Sequence, residues 1–445
     1  MKSKNKSNSS SNPGRTSGGA VKSPLQNSLV FGACVLGAAL GAQRAAGQVG
    51  DVFYIEMENH DFTQPSSYTS IQPILGNTAA PFQNSLVTPG NANAAQTSYA
   101  TAYYNTGNGV HPSEPNYVWA EAGSNLGTLS DNDPSVANRN IFTPGVTTYN
   151  GSATGSGTNP GYNNGGTAVQ TLTGQMDAAG VSWKNYQEDI QYTSRAGVSA
   201  SGTGGTANGV TVTANPYNGS TQYNYAAKHN PMAFFTDSAS KNLYQMSQLQ
   251  TDLNNSTVGR YNWITPDQYN DAHTALTGGF TYNGVHYTGD QAAVAQGDNY
   301  LATIIPEIEA SAAYKNNGVI IIGYDESEGG DTTATTIPEI VISPLAKGNA
   351  YASSVAMSHT SDLETMEEIF GLSYLNNQIP TAATSAVGGY NADGTVNDLS
   401  SLFQANEIPT SPVPEAPSSL MAGGVALLCA FNTVRRKMFA SKTNA

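Results

Sequence analysis

The most informative stretch of the chain is Gly318-Val319-Ile320-Ile321-Ile322-Gly323-Tyr324-Asp325-Glu326. Its apolar residues follow one another without alternation, which predicts a strand that is buried on both faces. Strands of this kind lie in the middle of parallel sheets. Two acids follow at once, so we expect Asp325 and Glu326 at the carboxyl end of the strand, where open α/β sheets form their ligand crevice.

Other segments predict the elements that surround this strand. Asp51 to Glu58 and Ile337 to Ile342 are strand candidates, and Asp298 to Tyr314 has the apolar spacing of a helix. A capping box at Ser361-Asp362-Leu363-Glu364 predicts a further helix, which ends at Gly371. These elements together predict one α/β domain.

Two long polar segments interrupt the domain, at Thr143 to Thr167 and at Ala196 to Thr221. Both consist mainly of Gly, Ser, Thr and Asn with hardly a charge, so we predict long surface loops. Leu172 to Ala179 is predicted as a helix and Trp183 to Asp189 as a strand. Asn283-Gly284 predicts a β-hairpin.

The charges are unevenly distributed along the 445 residues. The chain has 18 Lys and Arg against 32 Asp and Glu, but only eight of the basic residues and 31 of the acids lie between Gln48 and Pro414. This distribution argues against nucleic-acid binding, which needs clustered cations. An acidic body also repels phosphorylated substrates, so phosphate chemistry there would need a local cation such as a metal ion.

The amino-terminal segment 1–47 predicts a secretory signal peptide with a long basic leader. Its apolar run, Leu29 to Ala42, follows five basic residues and precedes small residues before Gln48. The two cysteines, Cys34 and Cys429, both lie in terminal segments. A processed protein would therefore have no thiol, which excludes a disulfide scaffold, a cysteine zinc site and a cysteine nucleophile.

The carboxyl-terminal segment 413–445 resembles the PEP-CTERM sorting signals of bacteria. Val413-Pro414-Glu415-Ala416-Pro417 precedes an apolar run, Leu420 to Phe431, and then a basic cluster. Twelve helical residues rise about 18 Å, less than the ~30 Å hydrocarbon core, so we expect a transient membrane association and no permanent span. This segment would engage the export and sorting machinery of a secreted or cell-envelope protein. The predicted layout is completed by a catalytic domain at 48–380 and a linker at 381–412.

Reactive residue types cluster where the predicted strands end. The blocks that hold them are Glu58-Asn59-His60, His111-Pro112-Ser113-Glu114-Pro115-Asn116-Tyr117, Lys228-His229-Asn230-Pro231, Thr265-Pro266-Asp267-Gln268-Tyr269-Asn270-Asp271-Ala272-His273, Asp325-Glu326 and Ser358-His359. Oxygen ligands dominate, with some histidines, and the set suffices for one or two divalent cations.

Ser113 is the candidate nucleophile. It stands just before the helix start that Pro115 predicts, because the missing N–H of proline costs nothing in the first helical turn. Free N–H groups and the helix dipole would stabilise an incoming phosphoryl group at this point. The alternative is an ordinary N-cap serine.

The blocks, in this order between about Asp51 and Leu372, resemble the phosphoesterase family, which contains acid phosphatases and non-haemolytic phospholipases C. The resemblance implies an alkaline-phosphatase-like α/β sandwich, with a central, mostly parallel sheet and helices on both faces. The chain departs from the family in its long polar loop inserts and in Glu326, where Asp is common.

The resemblance, together with the chemistry of these residue types, predicts a role for each site residue. Ser113 would be the nucleophile, and His111 or His273 would protonate the leaving oxygen. The phosphate would be bound by His229, His359 and Lys228. The ligands of the divalent metal cation would be Glu58, Asn59, Asp271, Asp325 and Glu326.

We therefore expect a secreted, metal-dependent phosphoester hydrolase, an acid-phosphatase-type phosphomonoesterase that acts on a small-molecule phosphoester. A phospholipase C-type phosphodiesterase is the first alternative. It ranks second because lipid tails need an apolar rim around the site, whereas the loop inserts of this chain are rich in Gly, Ser, Thr and Asn. A non-catalytic cell-envelope matrix protein is the other alternative. Such a protein has no need of ordered carboxylates and histidines at strand ends.

Overall fold

The structure is a computed structural model, which describes residues 48–105, 110–146, 148–149, 162–163, 169–191, 195–204, 206–207, 210–211, 214–375 and 397–409. The predicted signal peptide, the sorting segment and most of the first polar loop lie outside these ranges and stay predictions. The second polar segment is largely described, and it is not the single long loop that the sequence predicts. It holds a short helix at its start and three short strands, of which Gly202–Gly204 pairs with Tyr223–Tyr225. Within the described ranges, no helix combines the length and apolarity that crossing a membrane would take.

The described residues form sixteen strands and eight α-helices. The strands are β1 (Val52–Met57), β2 (Thr97–Ala100), β3 (Thr148–Tyr149), β4 (Tyr162–Asn163), β5 (Trp183–Gln187), β6 (Gly202–Gly204), β7 (Thr206–Ala207), β8 (Val210–Thr211), β9 (Tyr223–Tyr225), β10 (Leu243–Gln245), β11 (Tyr261–Thr265), β12 (Phe280–Tyr282), β13 (Val285–Tyr287), β14 (Val319–Tyr324), β15 (Glu339–Ile342) and β16 (Tyr351–Ser353). The α-helices are α1 (Pro81–Leu86), α2 (Ser113–Ala122), α3 (Leu172–Ala179), α4 (Arg195–Val198), α5 (Met246–Asn255), α6 (Asp290–Ala310), α7 (Ala312–Lys315) and α8 (His359–Phe370).

Eight strands form the central sheet, in the order β10-β5-β11-β1-β14-β15-β2-β16. The five strands from β10 to β14 are parallel, whereas β15 pairs antiparallel with both of its neighbours. The predicted apolar strand is β14, and all six of its residues are buried. The predicted α/β fold with a mostly parallel sheet is therefore confirmed, as is the hairpin β12-β13 at Asn283-Gly284.

Helices cover both faces of the sheet. Successive side chains of β1 point to opposite faces, and side chains on each face contact a different helix. Tyr54 donates a hydrogen bond to Asp362 Oδ2 on α8. Met57, which points to the opposite face, lies against Gly297 on α6, where a Cβ would be 3.1 Å from Met57 Cε. Helices α8 and α6 thus lie on opposite faces, and the predicted layering is confirmed.

Helix α8 begins earlier than the sequence predicts. Its capping box joins Ser358 to Ser361, so the helix starts at His359 instead of after Ser361. The sequence rule expects Glu or Gln at the third helical position. Here the Ser361 hydroxyl takes the place of that side chain and accepts a hydrogen bond from the Ser358 N–H at 3.0 Å.

Helix α6 also starts eight residues before its predicted beginning at Asp298. Residues 292–298 are all buried, so the first two turns lack the polar face on which a periodic pattern depends. Pro306 lies inside the helix near its carboxyl end. The side chain of Asp298 accepts from the first free N–H groups of α1, those of Phe82 and Gln83, both at 2.9 Å.

Part of the predicted linker belongs to the domain. Residues 397–409 include a 3-10 helix, Leu399–Leu402, and their apolar side chains lie in the main hydrophobic core. Phe403 also bridges to Ala346. The rest of the linker falls outside the described residues.

Candidate active site

The carboxyl ends of β1 and β14 bring two carboxylates together. Met57 pairs with Tyr324 in the parallel register, so the next residues, Glu58 and Asp325, leave the sheet side by side, and neither is exposed. The backbone N–H of Asn59 donates to Asp325 Oδ1 at 2.9 Å. The strand ends therefore meet as the sequence predicts.

Ser113 faces this pair from the first residue of α2. Its hydroxyl donates to Glu58 Oε2 at 3.0 Å, and Glu326 Oε1 lies 3.5 Å away. The side chain is almost wholly buried. Ser113 is the first residue of α2, so the free N–H groups at the amino terminus of the helix lie next to its hydroxyl. The helix is ten residues long, and the positive end of its dipole is at this terminus.

His229 and Asp271 complete the inner part of the site. His229 Nε2 lies 3.1 Å from Glu58 Oε1 and Nδ1 lies 3.6 Å from Asp271 Oδ2. The imidazole stacks on Tyr117, with ring centroids 4.9 Å apart. Burial and the charge of Lys228 lower the pKa of His229 well below its usual value. The neutral ring is thus enclosed by carboxylates, a setting that suits a metal ligand better than the predicted phosphate contact.

His111 lies on the other side of Ser113, between two acids. Its Nδ1 donates to Glu326 Oε2 at 2.5 Å, and its Nε2 is 3.3 Å from Asp331 Oδ1. Burial alone would lower the pKa of His111, but Asp331 and Glu326 raise it to about 10. The Asn105 side-chain amide also lies 2.8 Å from Nε2. The raised pKa favours the imidazolium form of this half-buried ring, which could act as an acid or as a bound cation.

Lys228 and His273 lie at the outer edge of the site. Lys228 pairs with Asp131, and its charge also acts on Glu58 and Asp271. The ring of His273 is 6.3 Å from that of His229 and is exposed to solvent. Their predicted roles in phosphate binding and acid catalysis stay predictions.

The inner residues fit a divalent cation. Asp325 Oδ2 and Asp271 Oδ2 are buried without a hydrogen-bond partner, which is costly for charged oxygens unless a cation compensates them. Burial, together with Glu326, raises the pKa of Asp325 to about 7. Burial, with Asp325 and Asp271, also raises the pKa of Glu58. Hard oxygen donors next to a neutral imidazole are a ligand set for a divalent metal ion.

The structure corrects the prediction for His359. Its Nε2 donates to the carbonyl oxygen of Asp325 at 2.5 Å, and its Nδ1 shares a 2.9 Å hydrogen bond with the Tyr103 hydroxyl. Burial lowers the pKa of His359 to about 4. Both ring nitrogens of this neutral imidazole are occupied behind the site, so His359 positions Asp325 and does not face a phosphate.

Two partners of the site were not predicted. Tyr117 donates to Glu58 Oε1 at 2.8 Å, and Asp331 holds the ring of His111. Tyr117 had a signal, because its spacing of four residues from Ser113 places both on one face of a helix. Asp331 stands in a loop with no periodic pattern, and nothing local connects it to His111.

The comparisons with known proteins show the family of the chain. The model of the phosphoesterase family matches residues 81–373. The phosphatidylinositol-3-phosphatase of Mycobacterium tuberculosis is 24% identical over 299 residues, which are 67% of this chain and 72% of that protein. An acid phosphatase of Aspergillus fumigatus is 27% identical over 171 residues, 37% of this chain, and the match spans only 28% of that protein.

A solved structure from Vibrio parahaemolyticus, described as a protein in the alkaline phosphatase superfamily, is also similar. It has 10% sequence identity and a TM-score of 0.42, over 78% of this chain and 72% of that one. The family match spans well over half of the chain and includes α2, β11, β14 and all of α8. The chain belongs to the phosphoesterase family and is a hydrolase of phosphoric esters.

Proposed function

We propose that the chain is a metal-dependent phosphomonoesterase of the acid-phosphatase type, with Ser113 as its nucleophile. The observation that carries this proposal is the place of the Ser113 hydroxyl. It lies at the amino terminus of α2, 3.0 Å from Glu58 Oε2 and 3.5 Å from Glu326 Oε1. A hydroxyl between two proton acceptors, facing an anion-binding helix end, is arranged for attack on phosphorus.

In the first step, Ser113 Oγ forms a bond to phosphorus while the bond from phosphorus to the ester oxygen breaks. The hydroxyl proton passes to one of the two carboxylates that flank it, Glu58 or Glu326. The leaving oxygen takes a proton from the imidazolium of His111. The N–H groups that begin α2 stabilise the phosphoryl oxygens in the transition state.

In the second step, water attacks the phosphoserine. A bond forms from the water oxygen to phosphorus while a proton of the water passes to the now neutral imidazole of His111. The bond from phosphorus to Ser113 Oγ breaks, and Oγ takes back its proton from the carboxylate that received it in the first step. A divalent cation held by Glu58, Asn59, Asp271, Asp325 and the neutral ring of His229 would withdraw charge from the phosphoryl oxygens and ease ionisation of the Ser113 hydroxyl.

Two cations favour a monoester over a diester. His111 and Lys228 both border the site, and a phosphomonoester dianion has twice the charge of a phosphodiester. The Mycobacterium tuberculosis relative is named for a phosphatase that acts on a phosphoinositide, so a monoester on a lipid headgroup is also a candidate substrate.

A release assay tests this preference. We expect the enzyme to hydrolyse p-nitrophenyl phosphate at least tenfold faster than p-nitrophenyl phosphocholine, and to leave the phosphodiester of phosphatidylcholine vesicles intact. Chelation should stop the reaction. Faster cleavage of the two diesters would assign the phospholipase C alternative instead.

The pH dependence tests the role of His111. Replacing Asp331 with Asn removes one of the two acids that raise the pKa of His111, so the imidazolium should lose its proton at a lower pH. We expect the alkaline limb of the kcat profile to move down by about one pH unit, while the acidic limb stays in place. An unchanged alkaline limb in Asp331→Asn would show that His111 is not the acid.

We also propose that the enzyme acts outside the cell or at its envelope, after trimming of segments 1–47 and 413–445. The support is the sequence pattern of the two ends. The intact mass of the native product would lack the leader, and a full-length chain found in the cytoplasm would contradict the proposal.

A further inference from the structure

A second group of ligand-type side chains lies apart from Ser113. His60, Asp290 and Glu328 each offer one donor atom, and the three atoms all lie within 4.8 Å of one another. They come from the loop after β1, the first residue of α6 and the loop after β14. The proposed catalysis uses none of them.

The imidazole of His60 is oriented as a metal ligand would be. Its Nδ1 donates to the carbonyl oxygen of Glu58 at 3.3 Å, which directs Nε2 at the two acids, where a cation would replace the Nε2 proton. Metal-binding histidines are commonly held in this way, by a backbone carbonyl on the other ring nitrogen. The ring is almost wholly buried, so its orientation is fixed by the fold.

The distances suit donors that surround one ion. Nε2 of His60 is 3.1 Å from Asp290 Oδ1 and 3.7 Å from Glu328 Oε2. Nitrogen and oxygen ligands about 2.0–2.2 Å from a zinc-sized ion lie roughly 3.0–3.6 Å from one another. An ion could therefore enter with only small shifts of the side chains.

Each of the two acids directs one carboxylate oxygen at His60. Glu328 Oε2 is buried without a hydrogen-bond partner. Asp290 Oδ2 accepts from Gln291 at 3.1 Å, so Oδ1 points to His60. Across the part of the chain that the structure describes, no Lys or Arg forms an ion pair with Asp290 or Glu328.

The loop that carries Glu328 is itself held in place. Asp61 Oδ1 accepts from the backbone N–H of Glu328 at 3.0 Å and from that of Gly329 at 3.4 Å. His60 and Asp61 are neighbours in the chain, so the loop after β1 both holds Glu328 and supplies the histidine. The hydrogen bonds of Asp61 thus hold the loop that carries Glu328 next to the loop that carries His60.

We propose that His60, Asp290 and Glu328 bind a divalent cation of the Zn²⁺ or Mn²⁺ type, separate from the one proposed next to Ser113. One imidazole and two carboxylates suit these ions, and water can complete the coordination because Asp290 is partly exposed. The ion would fasten the start of α6 to the two loops that carry Glu58 and Asp325, and so hold the catalytic residues in place.

Counting bound ions tests the proposal. The full chain is stripped of metal with a chelator and dialysed against Zn²⁺ or Mn²⁺. Unbound metal is then removed, and the bound ions per chain are counted by atomic emission. We expect Asp290→Asn to hold one ion fewer than the wild type, and Glu307→Gln, at the other end of α6, to hold the wild-type number. Asp325→Ala should lose a different ion, so the double variant should lose both.

Thermal unfolding gives a second test, which still decides the proposal if one of the variants folds poorly. In the Asp325→Ala background, Zn²⁺ or Mn²⁺ should raise Tm, and both Asp290→Asn and Glu328→Gln should abolish that rise. If Asp290→Asn binds as many ions as the wild type, the proposal is overturned. In that case the Nε2 proton of His60, and not a cation, lies between the carboxylates of Asp290 and Glu328. A loss in Asp290→Asn with none in Asp325→Ala would instead sustain this site and contradict the catalytic metal.

Discussion

Replacing Ser113 with Ala is expected to lower kcat on p-nitrophenyl phosphate by at least about a thousandfold. The hydroxyl is the only group of the described site that both faces the helix amino terminus and donates to Glu58. Without it, water would have to attack phosphorus directly. Substrate binding should be largely kept, because His111, Lys228 and the N–H groups of α2 remain.

The matched control for this variant is Ser85→Ala. Ser85 lies on α1, and its hydroxyl bonds only to nearby groups, among them the carbonyl oxygen of Phe82, so its loss should leave kcat unchanged. Near-normal turnover by Ser113→Ala would reject the serine assignment and turn attention to His111 as a nucleophile.

Replacing Asp325 with Ala is expected to abolish activity without unfolding the protein. Asp325 supplies a buried oxygen with no hydrogen-bond partner, which is the observation that motivates the proposed cation. Chelation of the wild type should reproduce the loss, and added divalent metal should restore activity to the wild type only. Initial rates before and after chelation, with metal content, measure both effects.

The stability of Asp325→Asn is a second readout of the same residue. Burial raises the pKa of Asp325 to about 7 from an ordinary 3.8, so the metal-free wild type loses stability as pH rises through that window. The amide has no charge to bury and keeps an acceptor for the Asn59 N–H, so the variant should not lose that stability. The control Asp177→Ala changes a partly exposed acid that pairs with Lys241 and should retain activity. Full turnover by chelated Asp325→Ala would end the metal proposal.

The sequence predicted those parts of the site that follow directly from local pattern. An uninterrupted apolar run specified β14, and the acids after it had to lie at the edge of the sheet where β1 also ends. Ser113 at a helix start followed from Pro115. In each case the prediction required only residues a few positions apart.

The parts that could not be predicted depend on the order of strands in the sheet. His229 lies between Glu58 and Asp271 because β11 and β1 are neighbours, a fact that no spacing along the chain contains. Asp331 reaches His111 from a loop over 200 residues away in sequence. The same limit explains His359, whose helix starts earlier than its capping signal predicts and so buries the ring.

The most direct test of the account is to trap the covalent intermediate. Wild-type enzyme is mixed with ³²P-labelled p-nitrophenyl phosphate, quenched in acid within a turnover and digested for peptide mapping. We expect the label as an acid-stable phosphoserine at Ser113, absent from Ser113→Ala and present in Ser85→Ala. Label on His111, or burst-free turnover with no labelled peptide, would contradict attack by Ser113.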